Sequence, residues 1–275
     1  MQILVFNYIG IPQPGKSSDV FATPNCKAGY YCLSSAIISD PSSVDPVSNR
    51  WGPCPSWSYC PEGSSNPIPC PHGKYNPNSL SQSLTDCIDC LAGYACTSSG
   101  MHTYLTTPCA AGFYCSTGSK TDKPFGKHCL AGYSCPSGSS SMLPCSSGTY
   151  QDQIGQSSCN LCPKGFYCPT QTSIIDSSIA CPAGYFCPTG TKNMNDNPCP
   201  LGTYNPRLYA TSSSDCLACP PGKYCDSPGR ISPTGDCDAG YYCTLSSPTK
   251  TPINTPAVPV TYGDKCKAGY YCPLG

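Results

Sequence analysis

The residues best equipped for chemistry are cysteines with two residues between them, at Cys87/Cys90, Cys159/Cys162 and Cys216/Cys219, a spacing at which two thiolates can share a zinc ion. A structural zinc site needs a second such pair or histidines nearby, and His72, His102 and His128 each stand alone. The other chemistry open to these cysteines is oxidation: 26 cysteines in 275 residues is the density of a disulfide scaffold in an oxidising compartment. His128 beside Cys129 has the outline of an activated thiol, but a bridged cysteine leaves it nothing to activate. Asn193–Pro198 (NMNDNP) alternates oxygen donors like a calcium loop, without the central glycine and closing glutamate such a loop uses, and reads as a turn. Asp86, Asp89 and Asp215 lie beside or near cysteines, Glu62 is the sole glutamate, and no serine–histidine pair stands in suggestive company. The expectation is a chain with no catalytic residues, no metal and no cofactor, calcium included.

The elements that position these cysteines repeat. The phrase C-x5-C occurs ten times, at Cys26/Cys32, Cys54/Cys60, Cys90/Cys96, Cys109/Cys115, Cys129/Cys135, Cys162/Cys168, Cys181/Cys187, Cys219/Cys225, Cys237/Cys243 and Cys266/Cys272. Nine of the ten carry glycine at the fourth position with an aromatic one or two residues on; in CPSWSYC, Trp57 replaces the glycine. Starts 18 to 20 residues apart, as at Cys90, Cys109 and Cys129, signal a linear array of small modules. The remaining six cysteines form three longer loops, Cys70 to Cys87, Cys145 to Cys159 and Cys199 to Cys216, which open with the same grammar: CPHGKY, CSSGTY and CPLGTY.

This divides the chain into an N-terminal extension (1–25), short modules (26–69), three groups that each begin with a long loop (70–144, 145–198, 199–243), a Pro/Thr-rich linker (244–265) and the start of a further module (266–275). Glycine and proline interrupt every candidate helix, so the fold class is small and disulfide-rich: an elongated array of short two-stranded β-hairpins and irregular structure with almost no helix. ILVFNYI (3–9) is the best single strand candidate and could add as a strand to a neighbour. The linker should be extended and poor in hydrogen bonds.

Modules of about 20 residues cannot bury a core of their own, so staples and stacking on neighbours must hold them. Within the phrase, glycine lets the backbone turn back at positive φ so that the cysteines meet, and the tyrosines pack flat against disulfides and prolines of the next module with the hydroxyl at a wet edge. Spacing alone leaves connectivity open. Closure within each phrase and each long loop serves any number of phrases, whereas strict alternation (first to third, second to fourth) fails in intervals of six cysteines, so the former is favoured over a laddered pattern.

Fifteen basic and fifteen acidic residues, dispersed singly, leave no field to gather nucleic acid or anionic lipid. No run is long enough to span a membrane, and MQILVFNYIG lacks the basic start and cleavage site of a secretory signal. A disulfide-rich chain must enter the secretory route, so the expected sequence is a mature piece or a fragment. None of the twelve asparagines begins an N-x-Ser/Thr sequon. Serine, threonine and proline crowd the linkers, which makes Ser139, Ser140, Ser213, Thr249, Thr251 and Thr255 candidates for O-linked sugar in a secreted protein.

CPHGKYNPNSLSQSLTDCIDC resembles the opening module of tumour-necrosis-factor-receptor cysteine-rich domains. The alternation of CPxGTY with CPxGYYC resembles the ephrin-receptor-like repeats of long surface proteins, mastigoneme-type filament proteins among them. The likeness runs from Cys26 to Cys272, and CPSWSYC departs from it, which leaves that module's turn geometry open. The resemblance implies a secreted, stapled and often glycosylated array at the cell surface. The expected function is an extracellular structural protein, a segment or subunit of a surface filament whose partners are like chains or neighbouring segments. A receptor or adhesin ectodomain that binds a protein ligand is the alternative.

Overall fold

A glycine can take a left-handed φ without steric cost, and a cysteine three residues to either side can then close a ring of seven. The computed structural model, which describes residues 26–33, 51–253 and 262–274, is built from that ring. Bridges join Cys26–Cys32, Cys54–Cys60, Cys90–Cys96, Cys109–Cys115, Cys129–Cys135, Cys162–Cys168, Cys181–Cys187, Cys219–Cys225, Cys237–Cys243 and Cys266–Cys272, with Cα atoms 5.7–6.2 Å apart. Cys145–Cys159 and Cys199–Cys216 close the longer loops, Cys70 and Cys87 are disulfide-bonded too, and no described cysteine is free. Each C-x2-C pair is thus divided between bridges: Cys159 goes back to Cys145 while Cys162 goes forward to Cys168.

Secondary structure is minimal. Strands of two or three residues pair into antiparallel two-stranded hairpins, such as Tyr30–Cys32 with Trp51–Pro53, Ser58–Tyr59 with Ile68–Pro69, Tyr133–Ser134 with Leu143–Pro144, and Tyr241–Cys243 with Gly263–Lys265. Between them come single bridges, Tyr94 with Pro108, Phe113 with His128, Phe166 with Ala180 and Tyr185 with Pro198. The register is the same throughout: the residue after the phrase glycine faces the residue before the next phrase's first cysteine. The only helical turns among the described residues are 3-10, at Leu84–Asp86, Ser177–Ile179 and Ser213–Asp215.

The described residues form two compact units, one from residues up to Pro69 with Pro77–Cys87, the other from Cys70–Asn76 with Ile88 onward. Both are free of an oily core. The buried apolar set is almost wholly half-cystine, joined by Ala95 and Ala210, while leucines and isoleucines such as Leu91, Leu130 and Leu161 lie exposed.

Two features differ from expectation. Trp57 adopts φ 80, the same left-handed conformation as the phrase glycines, so the departure in CPSWSYC leaves the turn's backbone conformation intact; the steric penalty for a side chain there is about 1–2 kcal/mol. The linker from Thr244 is not simply extended as far as it is described. Ser246 N–H donates to Cys219 C=O (2.8 Å), Cys225 N–H donates to Ser247 C=O (2.9 Å), and Ser247 is fully buried. The strand candidate at 3–9 lies outside the described residues.

An ideal Cβ on Gly148 would stand 2.6 Å from the Gly190 carbonyl oxygen, at a residue whose φ is 85. Gly148→Ala is therefore expected to destabilise the protein by roughly 2–5 kcal/mol, strain and overlap together. Ser246, at φ 63, is the converse case, and Ser246→Gly is expected to stabilise by about 1 kcal/mol. Thermal unfolding of the two variants under non-reducing conditions checks both signs.

Candidate functional site: the inter-module ladder

Within each unit a set of four backbone hydrogen bonds recurs between successive modules, complete from Gly73 to Gly222 in the second, and it is the most repeated chemistry among the described residues. In the first unit, Gly29 N–H donates to Cys60 C=O (2.9 Å) and Cys54 N–H donates back to Gly29 C=O (2.8 Å). Gly63 N–H then donates to Cys26 C=O (2.7 Å), and Cys32 N–H to Ser64 C=O (2.9 Å). In the second unit the same set recurs: at Gly165 the partners are Cys187 and Cys181 (2.8 and 2.9 Å), and Gly190 and Thr191 dock on Cys162 and Cys168 (2.8 and 3.0 Å). A phrase glycine thus uses both its N–H and its C=O on the following module.

The residue that docks on each first cysteine is the head of a second turn. It takes a left-handed φ at Gly63, Gly118, Gly138, Gly155, Gly190 and Gly229, and does so without glycine at Leu80, Gln171, Tyr209 and Ser246. Its carbonyl also presses on the phrase glycine two modules earlier: an ideal Cβ would lie 2.7 Å from Leu80 O at Gly29, 2.5 Å from Gly138 O at Gly93, and 2.7 Å from Gln171 O at Gly132. These glycines are therefore required twice, for their φ and for this approach, whereas Gly240 and Gly269 keep the left-handed φ with open space at the Cβ position.

A hydroxyl locks the docking turn. Ser64 Oγ donates to Pro61 O (2.7 Å), Ser119 Oγ to Ser116 O (2.6 Å), Ser139 Oγ to Pro136 O (2.6 Å), Thr172 Oγ1 to Pro169 O (2.7 Å) and Thr191 Oγ1 to Pro188 O (2.6 Å). The signal was present in the sequence as a second motif, CPEGS, CSTGS, CPSGS, CPTQT and CPTGT, which the reading of C-x5-C passed over as linker. Ring contacts add to the stacking, and those between aromatic side chains are edge-on: Tyr104 meets both Tyr75 and Tyr94 (centroids 5.1 and 5.2 Å), and Phe166 meets Tyr209 (5.4 Å).

Long modules carry an amide where short ones carry the second half-cystine. Asn76, Gln151 and Asn205 stand six residues after Cys70, Cys145 and Cys199, and their exposures are 0%, 3% and 1%. Their backbones make the ladder bonds a cysteine makes elsewhere, as in Gly132 N–H to Gln151 C=O (2.7 Å) and Gly184 N–H to Asn205 C=O (2.8 Å). Gln151 Nε2 donates to Ser158 O (2.8 Å), while Asn205 Oδ1 accepts from Arg207 N–H (3.0 Å) and its Nδ2 donates to Tyr185 O of the preceding module (3.3 Å).

The acidic residues singled out in the sequence have structural partners. Asp86 Oδ2 accepts from Gln82 and Ser83 N–H (2.7 and 3.0 Å), Asp215 Oδ2 from Thr211 and Ser212 N–H (2.7 and 3.1 Å), and Asp89 pairs with Lys74 (2.7 Å). In NMNDNP, Asp196 Oδ2 accepts from Lys192 and Asn193 N–H (3.1 and 2.9 Å) and its Oδ1 accepts from Asn193 Nδ2 (3.1 Å), so both oxygens face N–H donors. Among the described residues no three His, Cys, Asp or Glu side chains converge on a point. His72 Nδ1 contacts Thr97 O (2.8 Å), His128 lies edge-on to Phe113 and His102 sits in a Thr/Ser-lined depression with no second titratable group.

The sugar candidates fall in different settings. Ser140 and Ser213 are exposed, Thr249 and Thr251 are half-buried and Thr255 lies outside the described residues. Ser139 is half-buried within a docking turn, where its hydroxyl bonds Pro136 O and its carbonyl accepts Cys115 N–H (3.0 Å).

Residues 132–178, which include the Cys145–Cys159 loop and the Cys162–Cys168 phrase, match the family described as tyrosine-protein kinase ephrin type A/B receptor-like. No curated protein matches the chain. The match and the bridges support a cysteine-rich repeat protein, and both mark it as an extracellular or cell-surface domain, since disulfides at this density persist in oxidising compartments. No helix of the described residues is long and apolar enough to cross a membrane.

Hydrogen bonds from backbone N–H groups of Thr211 and Ser212 hold Asp215 below the ordinary carboxylate range, and those from Asn193, first the backbone and then the side chain, do the same for Asp196. A depressed folded value means that the caps contribute fully above the ordinary carboxylate pKa of about 3.9 and are lost as pH falls through the lower folded value. Acidification through that window is expected to speed hydrogen exchange at Thr211 and Ser212 while Cys219, donating to Gly202 O, stays protected. Asp215→Ala should speed the first two at neutral pH.

Proposed function

We propose that the chain is a non-enzymatic structural protein, a segment or subunit of a glycosylated cell-surface filament. The observation behind this reading is that the same four-bond ladder recurs at every junction from Gly73 to Gly222, while no three metal-ligating side chains converge among the described residues. A protein selected to bind one ligand concentrates unusual residues in one place. Here the unusual residues, buried half-cystines and left-handed turns, are spread evenly, as a load-bearing element needs. Each module is held by covalent closure within and by backbone bonds to its neighbour, so tension on one is shared with the next. Sugars fit this reading at Ser140 and Ser213, whose side chains face solvent, better than at Ser139.

One observation favours the receptor or adhesin alternative. Lys127 N–H donates to Pro124 O (3.1 Å) across a turn with Gly126 at φ 71, and Phe125 at its apex is 103% exposed between Lys123 and Lys127. An aromatic held clear of the chain is the kind of anchor that fills a partner's pocket.

Negative-stain micrographs of native material separate the two. Regular fibres that incorporate this chain, with Phe125→Ala leaving them unchanged, are expected for the filament. Dispersed single particles that lose a protein ligand on Phe125→Ala would replace that reading with the receptor.

A further inference from the structure

A disulfide is replaceable where another group already does its work in the fold, and it is reactive where a nucleophile can reach one of its sulfurs. The bridges of the second unit differ on both counts. In short modules such as Cys162–Cys168 and Cys181–Cys187, both half-cystines are buried at 0–1% exposure, and both supply backbone bonds to the ladder. In the long modules the ladder position six residues on belongs to Gln151 or Asn205, and the second half-cystine has been moved out to Cys159 or Cys216. Cys145 and Cys199 stay buried at 1% and 0%, whereas Cys159 and Cys216 are half-buried beside exposed Ser158 and Asp215. Each of these two bridges therefore pairs a buried half-cystine with a half-buried one, unlike the Cys70 and Cys87 loop, where both are buried at 0% and 2%.

The loops these bridges close also have other restraints. Gln151 Nε2 holds Ser158 O (2.8 Å) and Gln151 Oε1 accepts from Gln153 N–H (3.0 Å). In the other loop, Asn205 Oδ1 holds Arg207 N–H and Asp215 caps Thr211 and Ser212. The ladder bonds of these modules run through Gly132 to Gln151 and Gln151 to Thr172, and through Gly184 to Asn205 and Asn205 to Arg230, none of which passes through Cys159 or Cys216.

We propose that Cys145–Cys159 and Cys199–Cys216 are thiol-exchange sites: bridges that a small-molecule thiol opens while the stack of modules stays folded. The incoming thiolate attacks Sγ of Cys159, forms a mixed disulfide there and expels the Cys145 thiolate, which takes up a proton. A second thiol attacks the mixed disulfide, leaves as the oxidised dimer of the reagent and frees the Cys159 thiol. The two electrons come from the two thiols. At Cys216 and Cys199 the steps are the same, and the loop residues 152–158 and 206–215 gain freedom while Gln151 and Asn205 keep their places in the ladder.

The experiment is graded reduction of the intact chain with glutathione, followed by alkylation, peptide mapping and hydrogen exchange. Thiols at Cys145, Cys159, Cys199 and Cys216 are expected at about tenfold lower glutathione than thiols at Cys162, Cys168, Cys181 and Cys187. Exchange at Gly132, Gly148 and Gly184 N–H should stay slow when the long bridges have opened. Opening of Cys162–Cys168 and Cys181–Cys187 together with the long bridges, or loss of protection at Gly132 and Gly184 when the long bridges open, overturns the proposal. The double variant Cys145→Ser/Cys159→Ser tests the uncoupling without a reductant: it should fold with the remaining bridges complete and the ladder protected, and a variant that loses ladder protection refutes it.

Discussion

A peptide carbonyl resting on the α-carbon of a glycine two modules earlier is the contact that the rest of the structure accommodates. At Gly93 the approach is so close that a methyl group would sit 2.5 Å from Gly138 O. At such positions it requires a residue without Cβ, and the left-handed turn that glycine adopts brings the two cysteines of the phrase together, where their bridge holds the turn against the entropy of a seven-residue ring. The ladder then follows, since a glycine in that pose aims its N–H and C=O at the next module. In the short modules disulfide, turn and ladder form one arrangement, and in the long modules a buried amide takes the half-cystine's place in it.

That arrangement explains why a chain with so few aliphatic residues inside can be ordered. Buried backbone polar groups are costly unless paired, and here the pairing is between modules. Side chains fill in locally: hydroxyls of Ser64, Ser119 and Thr191 fold back on their own turns, and carboxylates of Asp86, Asp196 and Asp215 collect stray N–H groups at loop corners. The rings of Tyr75, Tyr94 and Tyr104 meet at the surface of the stack rather than inside it.

Much of this was legible in the order of residues. Cysteine spacing with glycine at the fourth position carried the module, the scarcity of helix and the short hairpins, because a small ring allows little else. The docking turn was not legible from that phrase. Its mark, a proline and a hydroxyl around a glycine just after the second cysteine, looks like linker composition until Gly63 and Ser64 are seen to bond Cys26 and Cys32. The amides were hidden for a related reason: Asn76, Gln151 and Asn205 read as ordinary polar residues after a tyrosine, and only their burial identifies them as occupants of a half-cystine's position. Trp57 shows the limit of reading a backbone from residue type, since it holds φ 80 where its side chain argues against it.

Because the junctions from Gly73 to Gly222 use the same donors, acceptors and glycine turn, an interior module meets its neighbours through surfaces interchangeable with theirs. Removing or duplicating one whole unit leaves matching surfaces on either side of the cut, whereas an insertion of a few residues inside a seven-residue ring has no compensating match. Length in such a chain can change by recombination in steps of one unit without any residue having to adapt.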